Sequence, residues 1–216
     1  MRARAAGADD APAIARIYNQ GIDDRVATFE TRLRSADDVR AWFDGRHPIV
    51  VVVDGGAVLA FAATSSYRLR ECYAGVAEFS VYVARESRGR GAGRVAMDAL
   101  IREAERAGYW KLVSRVFPEN APSLRLLASV GFREVGTYEQ HARLDGIWRD
   151  VVIVERLLGA IRRGRRRPPA GRAILEARPP GRPPAAGGAA RAAGRRRRRS
   201  RSARTRSRTR RRRPAG

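Results

Sequence analysis

Cysteine and lysine are almost missing from this chain: Cys72 and Lys111 are single occurrences in 216 residues. One thiol cannot build an internal disulfide framework, so the sequence reads as a protein of a reducing compartment, the cytoplasm. Lysine and arginine total 45, so arginine supplies 44 of them, a bias that points to GC-rich coding rather than to a chemical choice. No apolar run reaches the roughly 20 residues that a membrane-spanning helix needs, and the N-terminus lacks the apolar core of a secretory leader. His47 and His141 have no ligand partners at metal spacing, so no metal site is expected. The pattern G-x-x-x-x-G-K-[ST] is absent, which excludes a P-loop nucleotidase.

Acidic residues are also scarce, but only at one end. The net charge is +23 overall; residues 160–216 hold 22 Arg and one acid, Glu176, for +21, leaving +2 for residues 1–159. The basicity therefore belongs to the tail. The first 159 residues form an ordinary, nearly neutral domain, and a nucleic-acid-binding domain would carry basic residues on its folded surface as well.

Within 1–159 the hydrophobic periodicity is clear. Residues 2–7 read as a short first strand; Asp9 or Asp10 starts a helix with Pro12 in its first turn and Ile14, Ile17 and Tyr18 at helical spacing. Residues 26–31 are a loop or a short extended piece. Ser35 caps a second helix carrying Val39, Trp42 and Phe43. The runs 49–53 and 58–64, separated by Asp54-Gly55-Gly56, predict a β-hairpin. Strands follow at 76–83 and 111–116, with a helix over 92–106 between them that ends at Gly108. A helix over 120–130 and strands at 132–139 and 148–157 complete the pattern, with Trp148 expected in the core. The order predicts an α+β fold around one mixed sheet, with a parallel crossover spanning 76–116. After Gly159 the periodicity vanishes into Pro, Gly, Ala, Ser and Arg, so residues 160–216 are expected to be a disordered tail.

One stretch suggests a ligand. In A-R-E-S-R-G-R-G-A-G-R, between a strand and a helix start, Gly89, Gly91 and Gly93 let backbone amides approach an anion without Cβ obstruction. The helix N-terminus favours negative charge there, and Arg88, Arg90 and Arg94 add attraction. A pyrophosphate fits this chemistry; a plain glycine-rich turn with solvated arginines fits the glycine spacing equally well. The run lacks the glycine spacing of a dinucleotide fingerprint, and no acid ends a second strand about 20 residues on.

Arg88-Gly89-Arg90-Gly91-Ala92-Gly93, set after V-Y-V and before a helix, resembles the R/Q-x-x-G-x-G/A motif of the GNAT N-acetyltransferases. The segment N-A-P-S-L-R-L-L-A-S-V-G-F at 120–132 resembles that family's closing segment. Residues 1–158 are most similar to its phosphinothricin and methionine sulfoximine N-acetyltransferase group, through I-Y-N at 17–19, T-F-E-T at 28–31, E-F-S-V-Y-V at 78–83 and G-I-W-R-D-V at 146–151. The resemblance implies a mostly antiparallel twisted sheet flanked by helices, and acetyl-CoA as co-substrate. It places the pyrophosphate on the amides of Arg88–Gly93 (Arg88, Gly89, Arg90, Gly91, Ala92, Gly93), and the pantetheine along Val81, Tyr82 and Val83 like an added strand. The amide of Val81 or Val83 would stabilise the developing oxyanion.

The same resemblance makes Glu78 the general base that removes a proton from the acceptor amine, with Phe79, Val81 and Tyr82 as an apolar neighbourhood favouring its neutral form. A solvated residue on the sheet's polar face is the competing reading of Glu78. Many relatives carry a tyrosine four residues before the closing glycine as general acid; that position is Leu127, which cannot serve. Asn120 and Ser123 remain as polar groups near the sulfur or the pantetheine, and the acid stays unassigned. For the acceptor, Arg68 and Arg70 offer guanidinium forks to a carboxylate and a phosphinate-like group, or are exposed loop arginines. Phe29 and Glu30 would close the pocket over the amine, with Tyr73, Trp148 and Arg149 as weaker candidates. The expected partner is a small-molecule amine, by direct transfer. Alternatives are a peptide or protein amine, or a nucleic-acid-associated protein working through its tail. The group also implies a homodimer, for which no interface is legible. The tail would contact any polyanion non-specifically; a neutral extension and a shifted reading frame explain it as well.

Overall fold

The computed structural model describes residues 1–159. The arginine-rich segment 160–216, with the disorder and polyanion contact expected of it, lies outside the described residues. Strand β1 (Arg2–Ala5) is followed by helix α1 (Ala11–Asp23) and the short helix α2 (Ala36–Arg40). The hairpin β2 (Ile49–Asp54) and β3 (Ala57–Ser66) leads to β4 (Val76–Val83), helix α3 (Ala92–Arg106) and β5 (Lys111–Val116). Helix α4 (Ala121–Ser129) and the hairpin β6 (Arg133–Leu144) and β7 (Ile147–Leu157) complete the described residues.

Among the described residues seven strands make one sheet in the order β1-β2-β3-β4-β5-β7-β6. Every neighbouring pair is antiparallel except β4–β5, which is the parallel crossover expected over 76–116. Strand β2 is buried along I-V-V-V-V because both faces of the sheet are covered there. Val50 and Val52 face the core under α3, together with Phe79, Met97 and Leu100. Ile49, Val51 and Val53 face α1 and α2, together with Ile14, Ile17, Val39 and Phe61. No helix among the described residues is long and apolar enough to cross a membrane.

Local chemistry sets the element ends. Ser35 caps α2 by accepting from the Asp38 amide at 3.1 Å, while the Asp38 carboxylate accepts from the Ser35 amide at 2.8 Å, a reciprocal box. Asp10 does not cap α1 with its side chain: the carboxylate accepts from the Gly7 amide and from both ends of the Arg4 guanidinium, at 2.6 and 2.8 Å. Gly108, at φ 86°, ends the α3 segment in the left-handed region where glycine is at home.

The last hairpin is longer than the residue pattern predicts. It closes on Asp145-Gly146, both at positive φ, the backbone of a tight primed turn. The alternation that would have revealed it is broken between Tyr138 and Ala142, where Gln140 sits at φ 46° and its amide donates to Asp150 at 2.7 Å. Strand β6 forms the sheet edge and is exposed along most of its length. Trp148, expected in the core, is 49% exposed because it lies on this hairpin, with the Arg143 guanidinium 4.5 Å from its ring.

Candidate active site

The sheet comes apart at one place. Strands β4 and β5 pair only at Val76↔Lys111, Ala77↔Leu112 and Glu78↔Val113, although β4 runs on to Val83 and β5 to Val116. Buried Ser114 sits at the fork, its hydroxyl donating to the Phe79 carbonyl at 2.8 Å. Beyond it β5 continues only with β7, and β4 only with β3. The gap forms the floor of a cleft of about 810 Å³, with Glu78, Val81, Tyr82, Phe117, Asn120 and Ser123 among its walls.

Strand periodicity settles which amides reach that gap. The Ala84 amide donates to Leu59 on β3 at 2.8 Å. Alternation along β4 therefore turns the amides of Ser80 and Tyr82 toward β3 and those of Phe79, Val81 and Val83 toward the gap. Val81 and Val83 thus carry the outward donors, and Tyr82 does not. The Tyr82 side chain belongs to the packing under the cleft, stacked on Phe61 at 5.4 Å and edge-on to Tyr18 at 4.9 Å. Burial pushes its hydroxyl far above the ordinary tyrosine range.

Past β4 the chain makes a 3-10 turn at Arg85–Ser87 and a glycine-rich turn before it enters α3. Gly89 (φ 74°) and Gly91 (φ 83°, the helix N-cap) are left-handed, and a Cβ at either would meet nothing within 4 Å. None of the five amides of residues 89–93 makes a well-formed hydrogen bond to an acceptor among the described residues; the first that does is Arg94, which bonds Gly91 at 3.1 Å. Five free donors around a helix start suit an anion. At Gly93 the missing Cβ also matters for packing. A Cβ there would lie 3.0 Å from Leu126 and 3.3 Å from Val83, so this glycine lets the helix approach the strand.

The loop arginines are not free. Arg88 binds Asp24 at 2.6 Å, beside Arg85 at 2.7 Å, tying the loop to the end of α1. Burial alone would raise the Asp24 carboxyl, but the two guanidinium groups outweigh it and hold it low. Arg90 stands 4.0 Å from Asp54, and Arg94 is 3.7 Å from Asp98.

Glu78 lines the cleft, but not as an isolated acid in apolar surroundings. Strand alternation sends Phe79 and Val81 to the α3 side of the sheet, so neither surrounds the carboxylate. Its companion is Arg115, whose Nη1 donates to Glu78 Oε1; the side chains are 30% and 35% exposed. The pairing follows from register: Glu78 opposes Val113, and Arg115 stands two residues on, on the same face. Arg115 was not singled out from the sequence, and only the register of the parallel pair could have revealed it.

The loop over 27–32 walls the cleft from the other side. Phe29 packs edge-on to Phe117 at 4.8 Å, and Glu30 pairs with Arg34 at 2.5 Å. Asn120 and Ser123 also line it, but Asn120 is occupied: its Oδ1 accepts from the Ser123 amide at 3.2 Å and its Nδ2 donates to the Val26 carbonyl at 3.1 Å. Leu127 is buried against the cleft, with no polar group to offer.

Arg68, Arg70 and Tyr73 are not among the walls. They belong to the connection between β3 and β4, which leaves the sheet beyond Ser66↔Ala77, at the end of β4 away from α3. There Arg68 lies 5.2 Å over the Tyr67 ring and Tyr73 packs edge-on to the same ring. Arg149 pairs with Glu119 at 2.6 Å. A second polar group missed in the sequence lines the near end of the cleft: His47 bonds the Asp44 carboxylate through Nδ1 and Ser66 Oγ at 3.2 Å through Nε2. The amide and ring of His47 hold the Asp44 carboxyl down at about 2. No cluster of three metal-ligating side chains occurs among the described residues.

Comparison with known proteins finds relatives of this chain. Residues 16–132 match the model of the Acetyltransferase (GNAT) family. The L-methionine sulfoximine/L-methionine sulfone acetyltransferase of Pseudomonas paraeruginosa is 33% identical over 157 residues, covering 70% of this chain and 91% of that protein. Among solved structures, a GNAT superfamily phosphinothricin acetyltransferase from Sinorhizobium meliloti in complex with acetyl-CoA matches with a TM-score of 0.68 and 28% identity, over 73% of this chain and 88% of that one. A ribosomal-protein-alanine N-acetyltransferase from Brucella melitensis matches with a TM-score of 0.70 and 31% identity, over 73% and 100%.

Proposed function

The chain belongs to the acetyltransferase (GNAT) family, with acetyl-CoA as its co-substrate, and from that premise we propose that it acetylates the free amine of a small amino acid of the methionine sulfoximine or phosphinothricin type. The single observation that carries the reading is the fork between β4 and β5. It brings unpartnered amides, an acid and a substrate-sized cleft to one place.

Acetyl-CoA supplies an activated acetyl thioester. The residues present suit its shape: the five free amides of 89–93 take the diphosphate, and the outward amides of Val81 and Val83 take the extended pantetheine. An amide at Val81 also faces the charge that develops on the thioester oxygen, and one such donor is worth about 10²–10³ in rate. Glu78 is the general base. Its rise to Val81 is about 10 Å along the strand, a distance that the glutamate side chain and one water close.

Transfer is direct, without an acyl-enzyme. Cys72 is exposed in the β3–β4 connection and does not line the cleft. Ser66, held by His47 in a serine–histidine–aspartate chain, opposes Ala77, four residues below Val81 or about 13 Å away. That is too far for its hydroxyl to reach a carbonyl bound at Val81.

The amine of a peptide is the second reading, favoured by the likeness to the ribosomal-protein-alanine enzyme. Thiol release from acetyl-CoA by the full chain decides between them. L-Methionine sulfoximine, L-methionine sulfone and phosphinothricin should turn over, and peptides with an N-terminal alanine should not. Turnover confined to the peptides would replace the first reading with the second.

A further inference from the structure

The ion pair at the fork has an unused side. Arg115 gives Nη1 to Glu78, while its Nε and Nη2 donors find no acceptor among the described residues. The other basic side chains along the cleft are committed. Arg32 spends both ends of its fork on Asp38, at 3.0 and 3.1 Å, and both His47 ring nitrogens are engaged. Arg68 and Arg70, the forks expected for the acceptor, do not line it.

We propose that Arg115 binds the α-carboxylate of the amino-acid acceptor through its open Nε/Nη2 edge while keeping Nη1 near Glu78. This rests on the reading of the fork as an amino-acid acetylation site with Glu78 as base. An α-amino acid carries its ammonium and its carboxylate one carbon apart, and Glu78 and Arg115 present the opposite charges side by side on one face of the sheet. The guanidinium fork is suited to take a carboxylate bidentately. The ammonium then falls beside Glu78, so one side chain selects the acceptor and the other takes its proton. Charges alternate across the arrangement: Glu78, guanidinium, carboxylate, and the ammonium returning to Glu78. The pair therefore selects free α-amino acids and disfavours their amides, their esters and the N-termini of peptides, which lack that carboxylate.

The test is the ratio of kcat/KM for L-methionine sulfone to that for its carboxamide, measured in the full chain and in Arg115→Met and Arg115→Lys. Any general weakening of Glu78 by loss of its partner cancels in this ratio. The wild type should favour the free acid by about 10- to 100-fold, the scale of a hydrogen bond to a charged group. Arg115→Met should bring the ratio close to one, chiefly through KM for the acid. Arg115→Lys, with charge but no fork, should fall between. Retained acetyl-CoA binding by calorimetry shows that each variant is folded. A ratio unchanged in Arg115→Met would overturn the assignment while leaving the acetylation reading intact. Undiminished turnover in Glu78→Gln, or no turnover of either compound by the wild type, would instead bring down that reading and this inference with it.

Discussion

Replacing Glu78 by glutamine separates the proton transfer proposed for the acid from its part in the fold. Both members of its ion pair are about one-third exposed. Partly solvated pairs contribute about 0–1 kcal/mol to stability, and for a chain of this size 1 kcal/mol moves the melting temperature by about 2–4 °C. Glu78→Gln should therefore melt within a few degrees of the wild type. The rate should respond differently, because a positioned base is worth about 10²–10⁴-fold. At pH 7 the acceptor is an ammonium ion, and the glutamine cannot take its proton. As the pH rises through the amine's own pKa, the nucleophile forms in solution and the base becomes redundant. The deficit in kcat/KM should thus be largest near neutrality and shrink steadily toward pH 10. Stopped-flow or plate-based thiol detection across that range measures it. A deficit constant at every pH, or one matched by a collapse of the melting temperature, would show that Glu78 holds the cleft together rather than moving a proton.

Asp10 gives a pH-dependent stability. The Arg4 hydrogen bond, helped by the Gly7 amide and opposed by burial, holds its carboxyl below the usual range. A depressed folded pKa stabilises above the unfolded value of about 4 and loses that contribution as the pH falls through the folded one. Asp10→Asn should cost about 1 kcal/mol at pH 7, discounted for the exposure of Arg4, or about 2–4 °C. In thermal melts the difference should fade below pH 4; a gap that persists there would contradict the assignment. Gly21→Ala would place a Cβ 2.5 Å from Tyr82 Cε1, in a ring already packed against Phe61 and Tyr18. Overpacking of about 1–3 kcal/mol should lower the melting temperature by about 2–12 °C, and an unchanged melt would show that α1 shifts freely over the sheet.

Much of this fold is legible in the residues, for identifiable reasons. The run at 49–53 and the strand at 76–83 are apolar because helices cover the sheet, and α3 shows its buried stripe at Ala96, Met97, Leu100 and Ile101. The loop before α3 could be read because left-handed turns and free amides require glycine at Gly89 and Gly91. The fork could not, since it is defined by where hydrogen bonding between β4 and β5 stops, and no residue type marks that point. Arg115 stayed hidden for the same reason. Arg68 and Arg70 do not line the cleft, because their connection leaves the sheet at the end of β4 away from α3. The full length of β6 was masked by the irregularity at Gln140, which interrupts the period of two.

The claim beneath the whole account is that the bare amides of residues 89–93 hold the diphosphate and so aim the acetyl group along β4. Calorimetric titration of the full chain with acetyl-CoA and with S-acetylpantetheine, which lacks the diphosphate and nucleotide, tests it most directly. Charge-assisted bonds to those amides predict that S-acetylpantetheine binds at least about 100-fold more weakly than acetyl-CoA. Equal affinity for the two compounds would contradict the account.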